Sequence, residues 1–74
     1  MSQDRVIIVD HIDHPPLLVS RSEAARLLSL STHEIDNLRR AGKLLAKKYG
    51  SRVLFPLDEL RQFADSLPYE VDLP

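Results

Sequence analysis

The sequence has 74 residues, no cysteine, and a net charge of −1 from ten Lys or Arg and eleven Asp or Glu residues. This length predicts one small domain, and without cysteine there is no disulfide framework, thiolate metal site or cysteine nucleophile. No apolar run approaches the roughly 18 residues that span a membrane, and the first residues do not resemble a signal peptide, so we expect a cytoplasmic protein.

The first predicted element is a strand at residues 6–9, a β-branched run of Val-Ile-Ile-Val. It would either pair with a later hairpin and complete a three-stranded sheet, or remain an exposed edge used for self-association. Two prolines and two aspartates interrupt regular structure in residues 10–16. His11 and His14 in this loop have no fixed geometry and no further ligands beside them, so we expect no metal site.

Two short helices with similar start signals follow. Ser20 with Glu23, and Ser31 with Glu34, have the spacing of a capping box, in which the Ser side chain and the Glu side chain each bind a backbone amide. The first helix should end near residue 29, which leaves only a tight turn before the second cap. Two helices joined in this way are typical of a helix-turn-helix.

Each of these helices has one apolar face. The residues expected to be buried are Ala24, Leu27 and Leu28 in the first helix, and Ile35 and Leu38 in the second. The opposite side of the second helix carries His33, Asp36, Asn37 and Arg40. Gly42 lies just past its end, where a left-handed residue commonly terminates a helix.

A hairpin and a third helix are predicted next. Gly50 and Ser51 separate two strand-like runs, residues 45–49 and 52–55, as in a two-residue hairpin. Its buried face is expected to consist of Tyr49, Val53 and Phe55. The third helix begins at residues 56–59, where acids complement its dipole, and should end at Pro68 before a short acidic tail. Its apolar stripe is expected to contain Leu57, Leu60, Phe63, Ala64 and Leu67.

The near-neutral total charge hides one basic segment, residues 37–57. It contains six of the ten cations and no acid, whereas all eleven acids lie elsewhere. Such a segment predicts a contact surface for nucleic acid, although a charged face that meets only solvent is the alternative. The six cations are Arg39, Arg40, Lys43, Lys47, Lys48 and Arg52.

Residues 18–67 resemble the small winged helix-turn-helix domain of phage and plasmid excisionases, which is related to the DNA-binding head of the MerR regulators. The positions that carry the resemblance are Val19, Glu23, Ala24, Ala25, Leu27, Leu28, Leu30, Ser31, Ile35, Leu38, residues 40–44, Gly50, Arg52, Phe55 and residues 58–60. The resemblance implies a mainly α fold with a small β-hairpin wing. The chain would then comprise an N-terminal strand and linker (1–17), the DNA-binding domain (18–67) and an acidic tail (68–74).

The resemblance also implies a role for each part. The second helix would lie in the major groove of double-stranded DNA, with Thr32, His33, Asp36 and Asn37 as base-reading candidates. Asn37 is the best of these, because its amide can pair bidentately with adenine. Phosphate contacts would come from Arg39 and Arg40, from the connector and wing (Lys43, Lys47, Lys48, Ser51 and Arg52), and from the first helix N-terminus (Ser20 and Arg21).

Two acids on the predicted recognition helix depart from this pattern. Glu34 is accounted for by its capping box. Asp36 would either accept a hydrogen bond from a cytosine amino group or pair with Arg39 or Arg40 on its own helix. Ser29 stands where a turn glycine is usual, and Leu45 where a proline is common.

No nucleophile motif or glycine-rich phosphate loop is present, so we expect neither an enzyme nor a cofactor. The resemblance implies an accessory protein that binds repeated sites cooperatively, bends DNA and helps an integrase to excise it. A small transcriptional regulator or antitoxin-type repressor of the same fold is an open alternative. A protein-interaction module, using the acidic 58–74 end or the 6–9 edge, is a second alternative.

Overall fold

The structure is a computed structural model that describes residues 15–71. These residues form three α-helices and a three-stranded antiparallel sheet. The elements are β1 (Leu18–Val19), α1 (Arg21–Leu28), α2 (Thr32–Arg40), β2 (Lys47–Tyr49), β3 (Arg52–Pro56) and α3 (Leu57–Ser66). This confirms the predicted winged helix-turn-helix architecture. The predicted strand at residues 6–9 lies outside the described residues.

The two predicted capping boxes differ in the structure. At α2 the box is complete: the Ser31 hydroxyl accepts from the Glu34 amide at 3.1 Å, and the Glu34 carboxylate accepts from the Ser31 amide at 2.9 Å. At α1 only half of it forms. The Ser20 hydroxyl accepts from the Glu23 amide at 3.2 Å, but the Glu23 carboxylate binds Arg26 instead. An arginine one turn further along the helix competes for that carboxylate, because residues at i and i+3 are neighbours on a helix surface.

The turn between α1 and α2 is held by a left-handed residue. Ser29 has φ 58° and ψ 37°, and its amide donates to the Arg26 carbonyl at 3.2 Å. The next amide, that of Leu30, donates to the Ala25 carbonyl at 2.9 Å. A non-glycine residue in this conformation costs about 1–2 kcal/mol. The chain therefore accepts local strain at a turn position where glycine would adopt the same angles without it.

The sheet has the order β1-β3-β2. Tyr49 pairs with Arg52 across the Gly50–Ser51 loop, which confirms the two-residue hairpin. Gly50 has φ 61°, a value that favours glycine, as expected at the first loop position of such a hairpin. On the other edge of β3, Val19 pairs with Phe55. The third strand of the described sheet thus comes from the residues immediately before α1.

The core lies between the inner face of the sheet and the three helices. Phe55, Ile35 and Leu44 are its largest fully buried side chains. Burying each of these contributes about 1.5–3 kcal/mol. Val19, Ala24, Ala25 and Leu60 complete the buried set. Leu44 belongs to the connector between α2 and the wing, so the core also holds the middle of the basic segment.

Several predicted core residues are exposed instead. Tyr49 is 74% exposed. The prediction was wrong because residues paired across an antiparallel ladder share a face, so Tyr49 faces the same side as Arg52 and not the side of Val53 and Phe55. Leu27 is 44% exposed, because α1 packs through Ala24 and Ala25 and turns Leu27 toward α3.

The third helix also buries fewer apolar residues than the sequence predicted. Ala64 is exposed, and Leu67 is 52% exposed, beyond the end of α3. Leu67 has φ −73° and ψ 141°. The ring of a proline makes helical backbone angles unfavourable for the residue before it, and Leu67 precedes Pro68. The helix therefore ends at Ser66, and Leu57, Leu60 and Phe63 provide its packing face.

Candidate nucleic-acid interface

The outer side of α2 presents polar side chains, as the sequence predicted. His33, Asn37 and Arg40 are exposed, and Thr32 and Asp36 are half-buried beside them. Ile35, on the opposite side, is fully buried. Because Ile35 fixes the rotation of the helix, these polar side chains are held together on its outer side.

Asp36 binds a residue that its local sequence did not suggest. Its Oδ1 accepts from Nε of Arg21 at 2.7 Å, and its Oδ2 accepts from Nη2 of Arg21 at 2.8 Å. Arg21 is the first residue of α1. The partner is therefore on the other helix of the motif, and the expected pairing with Arg39 or Arg40 is wrong.

The Arg21–Asp36 pair lies at the surface but is unequally covered. The Arg21 side chain is 49% exposed and that of Asp36 is 15% exposed. The hydrogen bonds from Arg21 lower the pKa of Asp36, aided by the positive charges of Arg21, Arg40 and Arg39. The same hydrogen bonds raise the pKa of Arg21. Both groups are therefore charged at neutral pH.

A groove of 300 Å³ joins the end of α2 to the wing. Three cations border it: Arg39 from the helix, and Lys47 and Lys48 from β2. Its floor consists of apolar residues of the connector and β3, namely Leu44, Leu45, Ala46 and Val53. The sequence did not predict this groove, because it depends on how the connector folds back. The Leu44 amide bonds to the Leu38 carbonyl at 3.3 Å and begins that return.

The wing tip adds a residue to the sequence-predicted set. Tyr49 and Arg52 lie opposite each other beside the Gly50–Ser51 loop, and both side chains are exposed. A phenol hydroxyl and a guanidinium are both groups that can donate a hydrogen bond to phosphate. The exposure of Tyr49 could have been predicted from the two-residue loop, because the loop length fixes which side chains of the hairpin share a face.

Two predicted DNA-contacting residues, Ser20 and Asn37, lie beside other residues of the domain. The Ser20 hydroxyl, which caps α1, lies 3.2 Å from the Ser22 hydroxyl. Asn37 borders a second groove, of 330 Å³, whose lining also includes Leu30, Glu34, Leu38, Phe63 and Leu67. Asn37 thus lies at the boundary between the polar surface of α2 and an apolar surface shared with α3.

Ion pairs divide the cations of residues 15–71 into two groups. Outside the basic segment, Arg21 pairs with Asp36, Arg26 with Glu23, and Arg61 with Asp58 at 3.8 Å. Inside it, none of the six cations has a carboxylate partner among those residues. Within the described residues, no ion pair therefore compensates the positive charge of this segment on α2, the connector and the wing.

No group of three or more potential metal ligands occurs within the described part of the chain. His11 and His14 lie outside it. None of the described helices is long and apolar enough to cross a bilayer.

The architecture and the charged surface define a winged helix-turn-helix of the DNA-binding class. Residues 18–68 match the model of the helix-turn-helix domain family. This match covers more than half of the chain, and the protein belongs to that family. Neither the curated proteins nor the solved structures include one that matches the chain.

Proposed function

We propose that this protein is a sequence-specific DNA-binding accessory factor of the excisionase kind, with no catalytic activity of its own. It would bind and bend double-stranded DNA cooperatively and direct excision by an integrase in the cytoplasm of a bacterial host, on the nucleoid. The observation that carries the DNA-binding part is the division of ion pairs. Within residues 15–71, each cation outside the basic segment has a carboxylate partner, whereas the cations on α2, the connector and the wing have none there.

The shape of the surface supports a division of labour. Helix α2 would enter the major groove, with Thr32, His33 and Asn37 toward base edges. Arg39, Lys47 and Lys48 around the 300 Å³ groove would follow one phosphate backbone. Arg52 at the wing tip would reach the backbone or minor groove beyond it. Base contacts would then select the site, and the cations would supply most of the affinity.

Cooperative binding is part of the proposal because the domain is small. A single module of this size buries about 600–1,000 Å² of its surface on DNA. Several base contacts and a few phosphate contacts on such an area give modest occupancy of one site. Adjacent copies on repeated sites would raise it, which agrees with the role that the resemblance to excisionases suggests.

Selection from a random duplex library tests the proposal. The protein is expected to enrich a repeated motif, to bind two adjacent copies more tightly than two separated ones, and to bend the selected duplex in a circular-permutation mobility assay. Arg61→Ala is a matched control, because it removes one cation that lies outside the basic segment, on α3, 3.8 Å from Asp58. Failure to enrich any motif would contradict sequence-specific binding.

The genomic position of the selected motif separates the two roles of this fold. Sites beside an integrase attachment sequence, with stimulation of excision in a reconstituted reaction, are expected for an excisionase. A single unbent site over the protein's own promoter would instead indicate a transcriptional regulator.

A further inference from the structure

We propose that Asp36 is a positioning residue for DNA binding and not a base reader. It holds the guanidinium of Arg21 so that the free edge of that group binds one DNA phosphate. This inference rests on the proposed function and assigns a specific task within it to Asp36.

The geometry of the pair leaves Arg21 able to bind a second anion. A guanidinium carries five N–H donors. Asp36 uses the Nε edge, with one donor from Nε and one from Nη2. The Nη1 group and the second hydrogen of Nη2 face away from the carboxylate, and the side chain is 49% exposed. Two parallel donors remain on that edge, which is the arrangement that fits a phosphate.

The position of the pair places this edge at the DNA backbone. Arg21 is the first residue of α1, where the helix dipole also favours an anion. In a helix-turn-helix the first helix crosses the backbone while the second enters the major groove. The pair thus connects a backbone contact on α1 directly to the helix that reads bases, and a phosphate contact of this kind fixes the register of a recognition helix.

The coverage of Asp36 argues against direct base reading. Its side chain is only 15% exposed, and each oxygen already accepts a charged donor. A cytosine amino group would have to displace Arg21 to reach it. Arg21 also keeps the pKa of Asp36 low, so that the carboxylate remains charged and bound to the guanidinium at neutral pH.

A scan of single methylphosphonates, each removing one phosphate charge from the selected duplex, tests the inference. In the unmodified protein, one position near the α1 N-terminus is expected to weaken binding about tenfold, the effect of losing a charged hydrogen bond. Arg21→Ala should be insensitive at that position. Asp36→Asn, which keeps the shape but not the charge, should show less than a threefold effect there, while unfolding cooperatively and binding random DNA at least as well.

Two further variants test whether the effect comes from the positioning of Arg21, from its charge alone, or from the loss of any ion pair on α1. Arg21→Lys keeps the positive charge but lacks the paired donors of a guanidinium. This variant should retain the salt dependence of binding but lose the tenfold effect of the methylphosphonate at that position. Glu23→Gln breaks the comparable Arg26 pair on α1 and should leave the whole scan unchanged.

Three results would overturn the inference. Asp36→Asn could retain the full tenfold response, or it could change the preferred base at one position with the phosphate scan unaltered, as a base reader would. In the third, the unmodified protein selects and binds a duplex, but Arg21→Ala changes the effect of the methylphosphonate at no position. If the unmodified protein selects no duplex, the proposed function fails first, and that result is distinguishable because it appears before any variant is made.

Discussion

Arg21 and Asp36 are 15 residues apart in sequence, and two hydrogen bonds of 2.7 and 2.8 Å join their side chains across the helix-turn-helix. The pair links the first residue of α1 to the middle of α2. It compensates the charge of the acid beside the polar side chains of α2, and it joins the two helices at the surface. Its effect on stability depends on the ionisation of Asp36.

Acid should therefore weaken the fold through this pair. Arg21 lowers the pKa of Asp36 in the folded protein, so the unfolded state binds a proton more readily. The stabilisation is present above the usual aspartate range near pH 4 and is lost as the pH falls through the lowered value. Urea unfolding at pH 6 and pH 3 should show a smaller loss for Asp36→Asn than for the unmodified protein. Equal losses in both would contradict the account.

Two aromatic residues of the wing should differ sharply in their contribution to stability. Phe55 is fully buried on β3, and Phe55→Ala should lower the free energy of unfolding by about 3–5 kcal/mol. Tyr49 is 74% exposed on β2, and Tyr49→Ala should change it by less than about 0.5 kcal/mol. Thermal and urea unfolding measure both values. A large loss for Tyr49→Ala would mean that its ring packs against the domain.

The left-handed positions at the ends of α1 and α2 give a reciprocal pair of substitutions. Ser29 has φ 58°, and Ser29→Gly should stabilise the protein by about 0.5–1 kcal/mol, because the relief of strain is partly offset by the larger backbone entropy that glycine loses on folding. Gly42 has φ 74° with no atom near an added Cβ, so Gly42→Ala should destabilise it by about 1–2 kcal/mol through backbone strain alone. Urea midpoints that shift in the same direction for both would contradict this explanation.

The sequence predicted the order of the elements well because the signals are local. The Ser31 cap, the position of Gly42 and the two-residue loop at Gly50 each depend on a few neighbouring residues, and the structure confirms them. Local spacing also explains the error at Glu23, where two partners within one turn compete for the same carboxylate.

Long-range features were beyond such reasoning. The ion pair between Arg21 and Asp36 depends on how α1 and α2 cross. The groove beside Arg39 depends on how the connector folds back against the end of α2. The pairing of Val19 with Phe55 likewise joins distant parts of the chain. Tyr49 is different, because the hairpin register already implied its exposure. Which of the exposed side chains touches DNA stays a prediction.

Base-reading and backbone contacts should separate in binding assays. Asn37→Ala should reduce discrimination between the selected and random duplexes by about 1–3 kcal/mol, with little effect on random DNA. Arg52→Ala should weaken binding to all duplexes alike and make the salt dependence shallower by about one contact. Competition titrations with both duplexes measure these effects. Equal losses on every sequence for Asn37→Ala would refute its base-reading role.

The central claim is that the six cations of residues 37–57 bind DNA. Fluorescence anisotropy with a labelled random duplex and with the selected duplex, at 50 and 200 mM salt, tests it most directly. With five or six phosphate contacts, affinity should fall by roughly 10³-fold between the two salt concentrations. Replacing Lys47, Lys48 and Arg52 together with alanine should flatten that dependence, whereas Arg61→Ala should not. Absence of binding to either duplex at 50 mM salt would contradict the claim.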